Sequence, residues 1–184
     1  HRDLHSFPTR RSSDLQEYIS GWANISDNAT YNGTGTSVLT ITNPGVGMNG
    51  YKYRVVISGT CTPAATSDGN ATLTVYPNFV VGSITGTQSI CYNGTPTQLT
   101  GTAPTGGNTP YSYQWESSTD NVTFTPIATA TGINYQPGAL TTTTYYRQVQ
   151  SSASGCGSLT TNTVTVTVYP NFVVGSITGT QSIC

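Results

Sequence analysis

Apolar and polar residues alternate along most of this chain with a period of two, and nowhere do apolar residues keep helical spacing for three turns. Thr163-Val-Thr-Val-Thr-Val168 is the cleanest case, sending Val164, Val166 and Val168 to one face. Tyr111-Ser-Tyr-Gln-Trp115 does the same with Tyr111, Tyr113 and Trp115. Further short strands are predicted over 79–84, around Leu99, and over 123–127, 133–135 and 144–150, separated by Gly, Pro, Asn and Asp turn clusters such as 105–110. Seven strands in about ninety residues predict an all-β fold, a two-sheet sandwich. A unit of that size buries roughly 60–70% of its unfolded surface, enough for one core.

The pattern then recurs. Val75–Cys91 (VYPNFVVGSITGTQSIC) returns letter for letter at Val168–Cys184, an offset of 93 residues. Self-identity at domain-length spacing means that one folded unit is laid end to end. The predicted layout is the C-terminal part of one repeat over 16–76, a complete repeat over 77–169 and the first strand of another over 170–184, so both natural ends are expected to lie outside this fragment. The joints Val75-Tyr-Pro-Asn78 and Val168-Tyr-Pro-Asn171 contain no flexible spacer, and proline restricts their rotation. A semi-rigid string of beads is expected.

Composition sets the first fifteen residues apart, because they carry both histidines (His1, His5) and three of the six basic residues. Residues 5–15, HSFPTRRSSDL, resemble one reading frame of a common sequencing adapter, so 1–15 are expected to be foreign and without structure. The remainder holds three basic residues (Lys52, Arg54, Arg147) against five acidic ones (Glu17, Asp27, Asp68, Glu116, Asp120). No basic patch can be built from three scattered residues, which argues against nucleic acid as a partner. No apolar run approaches the roughly 20 residues that span a bilayer.

Trp115 on the third predicted strand resembles the core tryptophan of the immunoglobulin-like fold. In the earlier unit, Ser37–Ile41 followed by Gly50–Val55 is similar to the strand E to strand F segment of such a domain, with Tyr53 in the role of its corner tyrosine. Val55 stands where the inter-sheet cysteine would be. A fibronectin-like sandwich or one of the polycystic-kidney-disease repeat type would use Trp115, Tyr113, Tyr53 and Trp22 equally well as core residues.

The order Trp115-Glu-Ser-Ser-Thr-Asp120, Phe124-Thr-Pro-Ile127, Tyr135-Gln-Pro137, Leu140, Tyr145-Tyr-Arg147, Cys156-Gly157 and Asn162–Val168 resembles the immunoglobulin-like repeats of very large surface proteins in gliding bacteria, exported by the type IX route. The resemblance covers 16–184. It implies a secreted or cell-surface location and a spacer or adhesive role without catalysis. Residues 22–75 match the second half of such a repeat, Trp22 and Ile25 taking the places of Phe124 and Ile127. The matching core tryptophan would fall nine residues before Trp22, on Ser13, so the first unit is expected to lack strands A, B and most of C. In the same register Cys91 and Cys184 are equivalent, and Cys61 and Cys156 lie in the turn between the last two strands. Only the middle repeat holds both kinds, so a Cys91–Cys156 disulfide is expected, closing a loop worth on the order of 4 kcal/mol on the chain-entropy model.

Catalysis is argued against by what is missing. Beyond residue 15 there is no histidine, and five single carboxylates offer no acid and base pair. No metal site and no cofactor is expected, since Asp27-Asn28 and Asp120-Asn121 read as turns rather than calcium loops. The expected partners are neighbouring repeats of the same chain, with surface glycans or other surface proteins beyond them. A glycan-binding module is the alternative, because twelve tyrosines could build aromatic platforms. A third reading makes these repeats accessory domains of a secreted hydrolase.

Overall fold

The structure, a computed structural model, describes residues 12–59 and 62–184. The chain divides into two units, His1–Pro77 and Asn78–Cys184.

In the first unit the strands are β1 (Ser12–Tyr18), β2 (Trp22–Asn24), β3 (Tyr31–Asn32), β4 (Thr40–Ile41), β5 (Lys52–Ser58), β6 (Ala65–Thr66) and β7 (Ala71–Thr72). One sheet has the order β2-β1-β5-β6, with β7 also on β5, and a small β3–β4 pair lies apart. The expectation that 1–15 carry no structure does not hold for 12–15, which belong to β1. All seven residues of that strand pair antiparallel with β5, Leu15 opposite Val55. Strand C of this unit is therefore present, and its core position is filled by Leu15 rather than by Ser13. The cause is a shorter hairpin: Ile25 N–H donates to Leu15 O just as Ile127 N–H donates to Trp115 O, across a turn two residues tighter.

The second unit contains β8 (Ile84–Thr85), β9 (Gln88–Cys91), β10 (Thr100–Gly101), β11 (Ser112–Ser118), β12 (Thr125–Pro126), β13 (Thr144–Ser151), β14 (Ser158–Thr160) and β15 (Val164–Tyr169). Its main sheet runs β12-β11-β13-β15-β9, and β14 pairs with β13. The opposing layer is built from β8–β10 and from bridges joining Val80 to Thr105, Leu99 to Tyr135 and Gly94 to Leu140. Two layers, the β11–β13–β15 face against β8, β10 and the bridged segments, make an immunoglobulin-like β-sandwich.

Alternation places its core. Along β13, Thr144, Tyr146, Gln148 and Gln150 are buried while their neighbours are partly exposed. From β15, Val164 and Val166 point inward to meet Ile84, Leu99, Trp115, Ala130 and Tyr146. Trp115 is wholly buried, and its Nε1–H donates to Gly132 O at 2.9 Å. Burying the indole removes roughly 150–250 Å² from water, so it is the largest single contributor to this core. Tyr113, expected in the core, is only half-buried and lies outside the apolar cluster. It sits opposite Gln150, where the interior is polar. Trp22 is not a core residue either, because β2 is an edge strand and its ring lies beneath the Arg54 guanidinium, 4.1 Å from centroid to Cζ.

The expected disulfide is absent, and Cys91 and Cys156 are free. Strand direction explains this. β9 runs parallel to β15 and carries Cys91 beside Tyr169, beyond the Thr144 end of β13. Cys156 follows Ser151, at the other end of the same strand. Seven residue steps at ~3.3 Å hold the two some 20 Å apart, against a Cα separation of about 7 Å that a bridge tolerates. Cys61 lies outside the described residues.

Candidate functional site

Two features stand out in the second unit, and each has a counterpart in the first. Gln148 occupies the position that matches Val55, since Gln148 faces Trp115 as Val55 faces Leu15. Where many sandwiches would staple their sheets covalently, this unit uses two buried glutamines. Gln148 Nε2 donates to Gly132 O at 3.0 Å and Ile133 O at 3.3 Å. Gln150 Nε2 donates to Gln148 Oε1 at 2.8 Å and Thr102 O at 3.0 Å, and its Oε1 accepts the Gly82 N–H at 2.8 Å. Both amides are fully buried, so each bond removes a desolvation penalty of about 1–3 kcal/mol that an unpaired group would incur. Gly82 is required at this crossing, because a Cβ there would collide with Thr102 O. Asn162 completes the clamp from β15's approach, accepting the Ile84 N–H and donating to Ile84 O, both at 2.9 Å.

Among the described residues, no buried glutamine clamp covers the corresponding face of the first unit. Leu15, Leu39, Tyr53, Arg54, Val55 and Ile57 are among the residues that line a cleft of about 650 Å³. Ile57 is 39% exposed, whereas Gln150, its equivalent, is 0%. Beneath the cleft Tyr53 is buried, and its hydroxyl meets that of Tyr31 at 3.2 Å. Tyr31 O–H donates to Glu17 Oε2 at 2.5 Å. Burial first, then the bonds to Glu17 and Tyr53, push the Tyr31 phenol far above the usual tyrosine range. Burial also raises Tyr53. The hydroxyl of Tyr53 thus belongs to a tyrosine pair rather than to a corner bond with the backbone.

On the outer faces, Arg147 Nε donates to Glu116 Oε2 at 2.7 Å while its Cζ lies 4.0 Å over the Phe124 ring. Arg54 Nε donates to Gln16 Oε1 at 2.7 Å, over Trp22. The same clasp appears on both units.

The acidic turns are closed on themselves. Asp120 Oδ1 accepts the Ser118 hydroxyl and the N–H groups of Val122 and Thr123, and those bonds lower its pKa to about 2. Asp27 accepts the backbone N–H and hydroxyl of Thr34, which lower it likewise. Among the described residues no group of three His, Cys, Asp or Glu side chains converges on a point. None of the described helices is long and apolar enough to cross a membrane.

The sequence brought Trp115 and Tyr53 to buried positions, but it missed the glutamine clamp, the arginine clasps and Leu15. The clamp left one signal: Gln148 and Gln150 share the parity of Tyr146, the inward side of an alternating strand.

Residues 80–170 match a family described as a domain of unknown function, DUF8696. No curated protein matches the chain. Solved structures that are similar include the N-terminal four Ig domains of Dscam1 isoform 4.44, at 14% identity and a TM-score of 0.40 over 86% of this chain. Another is the tandem Ig repeats of Dlar, at 17% identity and a TM-score of 0.34, covering 88% of this chain and 84% of that one. The chain spans 38% of the Dscam1 fragment's length.

Proposed function

We propose that this chain is a non-catalytic structural and adhesive repeat module of a large secreted or surface-anchored bacterial protein. The observation that carries this reading is the recurrence of one frame in both units, down to Leu15/Trp115, Tyr53/Tyr146 and the Arg54–Trp22 and Arg147–Phe124 clasps. A module multiplied along a chain is the architecture of spacing and display. The carboxylates fit a structural part, since Glu116 is paired with Arg147, and Asp27 and Asp120 tie down their own turns. The partners we propose are neighbouring repeats of the same chain, then surface glycans or other surface proteins, with an extracellular or cell-surface location.

Glycan binding is the second reading, and accessory domains of a secreted hydrolase the third. Trp22 and Phe124 are poor sugar platforms because a guanidinium covers a face of each. Screening the full chain on a bacterial glycan array, beside adhesion of chain-coated beads to bacterial cells, separates the first two. Bead adhesion without a discrete glycan hit supports the spacer and adhesive reading; saturable binding to one glycan, abolished by substituting an exposed tyrosine, would replace it with the second.

A further inference from the structure

Three side chains of the first unit bring two phenols and a carboxylate into one row. Tyr31 leaves β3 and Tyr53 leaves β5, and both are buried, at 6% and 8% exposure. Their rings meet edge to face, centroids 6.1 Å apart, with the hydroxyl oxygens 3.2 Å from one another. Glu17 of β1 accepts the single proton that Tyr31 carries, at 2.5 Å. The contact between the phenols therefore runs the other way, Tyr53 O–H donating to Tyr31 Oη. These contacts are internal to the unit and stand under any further cover.

The second unit supplies a contrast. Tyr135 and Tyr146 lie as near, with centroids 5.9 Å apart, but among the described residues their hydroxyls share no hydrogen bond and no carboxylate bonds to either. Proximity is common to both pairs, whereas a proton acceptor is particular to the first. A phenol that gives up an electron must also shed its proton, and a base already within hydrogen-bond reach takes it in the same step.

We propose that Tyr31 and Tyr53 are an oxidative cross-linking site, joined ring to ring by a small one-electron oxidant of the carbonate-radical class, with Glu17 as the base that receives the Tyr31 proton. One radical takes an electron from Tyr31 while the phenolic proton passes to Glu17 and on to water. A second takes an electron from Tyr53, whose proton follows. The two phenoxyl radicals couple through carbons beside their hydroxyls, and the hydrogens displaced from those carbons move to the oxygens as the rings regain aromaticity. In balance, two carbonate radicals become two carbonate ions, two protons are released and the chain loses two hydrogens. The new bond fastens β3 to β5 across 22 residues, a covalent tie that restricts the unfolded chain as a disulfide does.

The test exposes the full chain to photolytically generated carbonate radical at a limiting dose and reads intact mass and peptide map. A monomer lighter by two hydrogens, with the blue fluorescence of linked tyrosines, is expected. Trypsin cleaves after Lys52 and Arg54, so it frees Tyr53-Arg54 as a dipeptide from the untreated chain. After treatment that dipeptide should stay attached to the peptide carrying Tyr31. Tyr31→Phe and Tyr53→Phe, each keeping its ring, should abolish the linked peptide, and Tyr135→Phe should leave it at full yield. Glu17→Gln keeps both phenols and should lower the yield about tenfold or more at equal dose. A linked peptide that persists in Tyr31→Phe, links between separate copies or from Tyr135 to Tyr146 in place of this one, oxidation confined to exposed tyrosines such as Tyr18, or a yield indifferent to Glu17→Gln would each overturn the proposal.

Discussion

The two units share a frame and differ in what fills it. In the second, Trp115, Gln148 and Gln150 are sealed beneath an opposing sheet that offers the carbonyls of Gly132, Ile133 and Thr102 to the amides. In the first, the same three positions hold Leu15, Val55 and Ile57, and no described strand stands over them. A buried amide needs partners at fixed points, so the glutamines belong where the second layer is present. Aliphatic side chains need only contact, so Leu15, Val55 and Ile57 place no demand for fixed acceptors on whatever faces them.

Trp115→Ala breaks the comparison most severely. It removes a fully buried indole and one of the two hydrogen bonds that Gly132 O accepts, a loss of about 3–5 kcal/mol. Leu15→Ala, half-buried at the matching position, should cost no more than about 2 kcal/mol, the low end for a leucine. Urea unfolding followed by far-UV circular dichroism, beside Trp22 fluorescence for the first unit, checks both. Equal losses would mean that the two interiors are equally closed.

Alkaline pH probes both units through their tyrosines. Burial, then the charge of Tyr135, lifts Tyr146 to about 12, and burial with the Glu17 bond lifts Tyr31 further. A phenol is neutral while protonated, and the folded state holds these protons more tightly than an unfolded tyrosine with a pKa of about 10. Their contribution is therefore complete below pH ~10 and drains away as pH rises through the folded values. The urea midpoint should be level from neutrality to that point and fall above it. Glu17→Gln, which removes the carboxylate facing Tyr31, should leave the onset near pH ~10, make the first unit's decline above it smaller and leave the second unit's in place. A midpoint that stays level past pH 12 would refute the assignment.

The glutamine clamp comes next. Replacing each residue by its first-unit equivalent, Gln148→Val or Gln150→Ile, leaves buried carbonyls or the Gly82 N–H unpaired and should cost about 1–3 kcal/mol apiece. Because Gln150 donates to Gln148, the double variant should lose less than the sum of the two, by about 0.5–3 kcal/mol. Strict additivity in a double-mutant cycle would show that the two amides act independently.

Those residues also show what one sequence reveals. Strict alternation over Thr163–Val168 disclosed β15 and its inward valines, and aromatic spacing disclosed Trp115. β1 was hidden because 12–15 were judged by composition, whereas a strand position is decided by its neighbour, here β5. Gln148 and Gln150 carry the inward parity, but a polar residue at such a position is legible as buried only once its acceptors on the other sheet are known. The cysteines misled for a related reason: the parallel run of β9 beside β15, which parts Cys91 from Cys156, is a matter of topology that no local pattern encodes. Trp22 was read as core from its place in the repeat, matching Phe124, and an edge strand with an arginine above the ring sets both residues outside the interior.

The smallest expected effect lies in the clasps, where the units differ by one atom type. Arg147 is bonded to a carboxylate, Glu116, and Arg54 to a neutral amide, Gln16. Arginine over an aromatic face contributes about 0.5–1 kcal/mol at such exposed sites, and that part is common to both. The ionic part belongs to the second unit alone, and with the Arg147 side chain 32% exposed it amounts to no more than ~1 kcal/mol. Glu116→Gln turns the second clasp into a copy of the first. It should lower the second unit's stability by up to ~1 kcal/mol at low salt and by almost nothing in 1 M salt, where the screening length shrinks to about 3 Å. Arg54→Lys, in contrast, should cost the same at both ionic strengths, since what it loses is ring contact and a hydrogen bond rather than an ion pair. If Glu116→Gln is indifferent to salt, the carboxylate contributes as a hydrogen-bond acceptor only, and the two clasps are energetically one device.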